Sequence, residues 1–294
     1  MVLPHLVSPG LMSLTFLANY QQRIWVVVGP FALVLSGFAV ASYVAWHTAV
    51  FVQFASTSAL VGTLLLQSAL PPYLLASWLY LYRETLRLEK LTRGIADDEA
   101  STRLLEKVSS LRSSAFLTVL FAVLWGLHQN DELFLHIVTG NDFGLGDLSI
   151  LFGNLMIWLC VGFLVAWRVP VSLALRHYGR SLQIDLYALE IALPVTYLAA
   201  KDVLIIAGAM SFMALQSLDA EFRWVNYEGG FIVGIPVAIA LLLTPLTGIR
   251  ANVTACKRSR LEEISAQIAA TDRSDMVTIE LLQAHADRIR RLSN

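Results

Sequence analysis

Charge is what this sequence has least of. Only 15% of its 294 residues are Asp, Glu, Lys or Arg, where a soluble domain carries about 25%. The apolar set makes up 56% of the chain, and the mean hydropathy is +0.64. There are too few charges to cover a water-facing sphere of this mass, so a soluble globular protein is excluded. Cysteine is scarce as well. Two cysteines cannot staple 294 residues, which excludes a disulfide-rich secreted scaffold. With Cys160 mid-span and Cys256 beyond the membrane, no bridge between them is expected.

Motifs are missing too. The chain has no P-loop, no nucleotide-binding glycine fingerprint, no nucleophile-elbow serine and no HExxH zinc helix. A potassium-filter sequence is absent. None of the six histidines pairs with another at mid-span to hold haem. No cofactor is therefore expected. The first 22 residues lack a basic n-region and a small-residue cleavage site, so no cleavable signal peptide is expected.

What is present is a set of long apolar runs. Crossing ~30 Å of hydrocarbon takes ~20 mostly apolar residues in a helix. Six stretches are candidates: Ile24 to Trp46, Val52 to Tyr82, one opening at Ala115, Leu148 to Trp167, Val195 to Leu215 and Phe231 to Ile249. The third is purely apolar only to Leu127, and the fifth carries Lys201 and Asp202 near its start. The expected fold is thus all-α: a polytopic membrane protein of about six helices with extended cytoplasmic helices. Its expected segments are an interfacial start (1–23), three transmembrane hairpins (24–82, 114–168 and 195–249), helical connections at 83–113 and 169–194, and a helical tail (250–294).

Orientation follows from basic charge, which accumulates on the cytoplasmic side of spans. With six spans, all of the 21 Lys and Arg residues except Lys201 and Arg223 fall on one side. Both termini are therefore expected in the cytoplasm, with 128–147 and 216–230 outside, in the inner or plasma membrane. The tail has only a small basic surplus. Membrane-surface attraction explains it better than nucleic acid, so no nucleic-acid partner is expected.

Periodicity makes helices of both polar stretches. Leu86, Leu88, Leu91, Leu104, Leu105 and Val108 recur near helical spacing, with a turn expected from Gly94 to Glu99. Leu261, Ile264, Ile268, Ile279, Leu282 and Ile289 do the same around an expected turn at 272–275. These stripes must bury against something, and a homo-oligomer or a cytoplasmic partner protein would supply it. Each even-numbered span ends on apolar residues, a proline and a basic helix (from Pro71, Pro170 and Pro245), as in three repeated hairpins. A 3+3 inverted arrangement fits the same topology.

Lys201 and Asp202, with Glu190 eleven residues earlier, are the first candidates for chemistry, because ionisable groups at membrane depth are costly and default to a functional reading. Neighbouring residues lie ~100° apart on a helix, so the two cannot both face one partner. They either line a polar path, or the span begins near Val203 and Lys201 snorkels to the interface. His128, Glu132 and His136 form an H-x3-E-x3-H ladder, a weak metal candidate. Three ligands spread along ~12 Å of one helix cannot reach one ion, so a polar cap is the better reading. In the loop 217–230, Trp224 and Tyr227 suit an interfacial aromatic belt, and Gly230 to Gly234 is a small-xxx-small packing step.

Three function classes remain. A channel or transporter for a small ion or solute, working as an oligomer, makes use of the six spans and the Lys-Asp pair. A non-catalytic anchor, sensor or accessory subunit makes use of the cytoplasmic helices. A lipid-modifying enzyme needs an acid, base or nucleophile cluster that the sequence does not assemble, which weighs against enzymatic activity.

Overall fold

The computed structural model describes residues 24–48, 57–110, 112–129, 145–184, 186, 189–218, 224–271 and 275–291. Among these, every regular element is helical. The long helices are α1 (Ile24–Thr48), α2 (Thr57–Thr92), α3 (Asp98–Ser109), α4 (Arg112–Gln129) and α5 (Leu145–Ser181). A short turn, Leu189–Ala192, leads into α6 (Leu193–Ser211), which tightens to a 3-10 turn over Phe212–Ser217. The five-residue α7 (Val225–Gly229) passes through a π-helical turn, Gly230–Gly234, into α8 (Ile235–Ala270), and α9 (Met276–Arg291) follows.

Four segments are long and apolar enough to cross a membrane: Leu60–Thr92, Ile150–Ser181, Glu190–Ser217 and Tyr227–Ala270. Helices stand at the two other expected positions as well. In α1 the apolar stretch is shorter, Phe31–Val44, and α4 has 18 residues. The fifth expected span does not begin at Val203. Its helix starts at Leu193, so Lys201 and Asp202 lie well inside it.

Helices α2, α5 and α8 run on past a bilayer's thickness. The 37 residues of α5 reach about 55 Å at 1.5 Å per residue. All three carry their prolines within the helix, Pro71 and Pro72, Pro170 and Pro245. The basic residues gather at the far ends of these extensions, here called the basic end of the bundle. There α2 stops at Thr92, and Gly94 takes a left-handed φ of 85° that a side chain would strain. Asp97 precedes α3 in extended conformation, so the chain turns where the sequence predicts.

The core is built around α5. Trp167, Val171, Leu175 and Tyr178 are at most 1% exposed and pack against Leu70, Leu74 and Leu81 of α2, Leu104 and Val108 of α3, and Val195 and Leu198 of α6. Trp78 meets Trp167 edge-on at 6.3 Å, and the Trp167 indole donates to Val108 O at 3.1 Å. At the basic end, α8 closes on α5 so tightly that a Cβ at Gly248 would lie 2.1 Å from Arg176 O. Asn252 of α8 then donates to the carbonyls of Gly179 and Leu182 at 3.0 and 2.6 Å, capping the end of α5. At the other end, Gly234 sits where a Cβ would come 3.0 Å from Met210 Sδ, the close packing expected of its small-xxx-small step.

Parts of the two apolar stripes outside the spans are buried within the chain itself, while Leu91 stays 62% exposed. Leu88, Leu104 and Val108 belong to the main core. Ile264, Ala286 and Ile289 form a second small core with Leu186, Leu261, Ile268 and Leu282. The tail is therefore a helical hairpin of α8 and α9 that buries these residues within one subunit, while Met276, Val277 and Leu281 of α9 stay 61%, 70% and 68% exposed. The expected interfacial segment, residues 1–23, lies outside the described residues.

Candidate functional site

Two ion pairs between the long apolar helices lie in one layer. Arg168 ends the apolar run of α5, and Asp202 stands on the inner face of α6; each is 1% exposed. The Arg168 Nε donates to Asp202 Oδ1 at 2.7 Å and its Nη2 to Oδ2 at 2.8 Å. This bidentate match of a planar guanidinium with a carboxylate is the strong form of the pair. The third donor, Nη1, reaches Thr85 Oγ1 of α2 at 3.2 Å. The Thr85 hydroxyl in turn donates to Leu81 O at 2.7 Å. One buried ionic unit thus ties α2, α5 and α6 together.

Lys201 faces elsewhere, as the 100° step between helical neighbours requires. Its Nζ donates to Glu84 of α2 and lies 5.3 Å above the ring of Tyr80. The Lys201 side chain is 32% exposed and that of Glu84 19%. Glu84 also lies 3.9 Å from Arg87. The layer therefore has a dry half, Arg168–Asp202–Thr85, and a wetter half, Lys201–Glu84.

The other sequence candidates do not join it. Glu190 is exposed, on the turn before α6. Its eleven-residue separation from Lys201 amounts to roughly 16 Å along a helix. His128 stands in the last turn of α4 with its side chain outside the described residues, where Glu132 and His136 also lie. Among the described residues no group of three His, Cys, Asp or Glu could hold a metal ion.

Sequence reasoning missed Arg168, Glu84 and Thr85, the partners, having counted the two charged ones among loop residues. For Arg168 a signal existed. It is a lone charge between an apolar run and the further uncharged stretch Val169 to Leu175, so it falls inside an apolar helix and needs a counter-ion.

Beside this layer the bundle interior has an apolar pocket. A cavity of about 70 Å³ between α2, α5, α6 and the start of α8 is lined by Leu70, Leu74, Trp158, Val161, Ile205 and Met210 among others, with no polar lining. Nearer the other end, Gln67 donates to Ile150 O and to Asn154 Oδ1, both at 3.0 Å, so these polar side chains join α2 to α5. No family model, curated protein or solved structure matches the chain.

Proposed function

We propose that this is a non-catalytic membrane scaffold, an anchor, sensor or accessory subunit. Six spans, with both termini in the cytoplasm of an inner or plasma membrane, would hold a cytoplasmic helical module in fixed geometry. The observation that carries this reading is the mutual neutralisation of the in-span charges. Arg168 and Asp202 spend their hydrogen-bonding capacity on each other and on Thr85, which makes a lock between helices rather than a wet path. The continuous helices α2, α5 and α8 would transmit that rigidity to α3 and α9. Reconstituted in liposomes, the protein is expected to give ion flux no greater than protein-free vesicles. The topology is tested by cysteines at Asn141 and Asn226, which should react with an impermeant thiol reagent from outside, whereas one at Asp97 should not.

A second reading, an oligomeric channel or transporter with Lys201, Asp202 and Glu190 on its pathway, is favoured by one observation. Lys201 keeps 32% of its side chain exposed beside Glu84, and a cation in a low-dielectric wall attracts anions. Flux in wild type that disappears in Lys201→Met, while Lys201→Arg retains it, would replace the scaffold with this reading.

A further inference from the structure

We propose that the basic face of α5, just beyond the buried ion pair, binds the phosphate of an anionic phospholipid. The proposal needs the chain to sit in a bilayer, and it holds whether the spans act as scaffold or as pathway.

Below Arg168 the surface of α5 stays apolar to Leu175, and Val169 and Leu173 on it are 39% and 47% exposed, a surface suited to acyl chains. Arg176 follows, half-buried, with His177 and Arg180 exposed beside it. The Nε–H of Arg176 is buried and meets no acceptor, and neither does the hydroxyl of Ser172 one turn before it. Ser172 is 2% exposed and shares a helical face with Arg176 at the i, i+4 spacing. Buried donors are normally satisfied, so two orphans on one face mark a place short of acceptors.

The two helices that meet at this point have no acid to offer. Helix α5 carries no Asp or Glu between Asp147 and its end, and α8, whose Gly248 backs onto Arg176, carries none before Glu262. Arg168 has Asp202; Arg176, about 12 Å further along α5, has no counterpart among the described residues. At the rim of a bilayer the missing anion is a lipid phosphate, which a guanidinium grips in bidentate fashion. Val169 and Leu173 favour a lipid over free phosphate, because they add contact for the chains that the phosphate carries.

The test uses the full-length protein in detergent, mixed with phosphatidylglycerol or phosphatidylcholine of the same acyl chains. Retained lipid is counted by mass spectrometry of the intact complex. Wild type is expected to retain phosphatidylglycerol over phosphatidylcholine. Arg176→Gln should cut that retention about tenfold, the scale of one lost charged hydrogen-bond pair, and Arg176→Lys should lie between. Arg258→Gln, which removes an exposed cation of α8 ten residues past Gly248, should leave retention unchanged, and millimolar inorganic phosphate should not displace the lipid. Equal retention in wild type and Arg176→Gln, equal retention of the two lipids by wild type, or displacement by inorganic phosphate each overturns the proposal. Where Arg176→Gln does not fold, Arg180→Gln takes its place, with a loss of about threefold expected and unchanged retention overturning it.

Discussion

The chain makes the same kind of bond in two settings. In the bundle, Arg168 and Asp202 pair at 2.7 Å with side chains 1% and 0% exposed. In the tail, Arg258 and Glu262 pair at 3.0 Å with side chains 83% and 67% exposed. The distances are nearly equal, yet losing one partner is expected to cost several times more in the bundle. Water already solvates the tail pair whether or not it closes, so closure is worth little. The bundle pair has no such alternative. Its ions were taken out of solvent when the helices packed, and each is tolerable there only because of the other. An ion pair therefore has no fixed value of its own. Its surroundings set what its loss costs.

The sharpest way to break this comparison is to remove one member of the buried pair. Arg168→Met or Asp202→Leu strands an uncompensated charge and should cost about 3–5 kcal/mol, seen as loss of monodisperse protein and a lower thermal midpoint in detergent. The double variant Arg168→Met/Asp202→Leu should recover most of that loss, since no buried charge remains. Singles no worse than the double would sink the idea that stranding, rather than lost attraction, dominates.

Next in size is the contact through which α8 meets α5. Gly248→Ala should cost roughly 1–3 kcal/mol, because its Cβ would sit 2.1 Å from the Arg176 carbonyl and neither backbone can yield. A thermal midpoint within error of wild type would show that the helices separate here at little cost.

Removing the exposed pair sharpens the contrast from the other side. Arg258→Gln or Glu262→Gln should shift stability by at most about 0.5 kcal/mol, and less as salt is raised. A loss matching that of Arg168→Met would erase the distinction between the two regions.

Smallest is the effect at Asp275, whose carboxylate accepts from the backbone N–H of Thr278 at 3.2 Å and from its hydroxyl at 2.7 Å. Those bonds hold its pKa below the ordinary 3.8. A depressed carboxyl contributes stability above its unfolded value and loses it as pH falls through its folded value. The thermal-midpoint difference between wild type and Asp275→Asn should thus stay constant from neutral pH downward and shrink only below the ordinary Asp range. A difference that vanishes already above pH 5 would mean that the Thr278 bonds do not act on the ionised form.

Much of the architecture was readable before any coordinates. Period and length alone mark the apolar helices, because a bilayer-scale run of Leu, Val, Ile and Ala has few other ways to satisfy its backbone. The turn between α2 and α3 was equally readable, since Gly94 and Asp97 act on their own neighbours. The site was only half readable. Lys201 and Asp202 stood out as charges in an apolar helix, but their partners lie far away in sequence: Arg168 is 34 residues from Asp202 and Glu84 is 117 from Lys201. Nothing local in Glu84 distinguishes it from the solvated acids that follow it.

The tail shows the same limit. Its periodicity demands burial of Leu261, Ile264 and Ile289 without naming the surface that provides it, whether the chain's own or a neighbour's. Hydrophobic burial is non-directional: any apolar surface will do, and the hairpin of α8 and α9 offers the nearest one. Composition and periodicity therefore decide that this chain is a set of long, membrane-compatible helices with basic extensions, because those properties act over one or two helical turns. Which charge neutralises which, and which stripe covers which, are decided only when helices distant in sequence come side by side, because a charge or an apolar face specifies the kind of partner it needs and not its address.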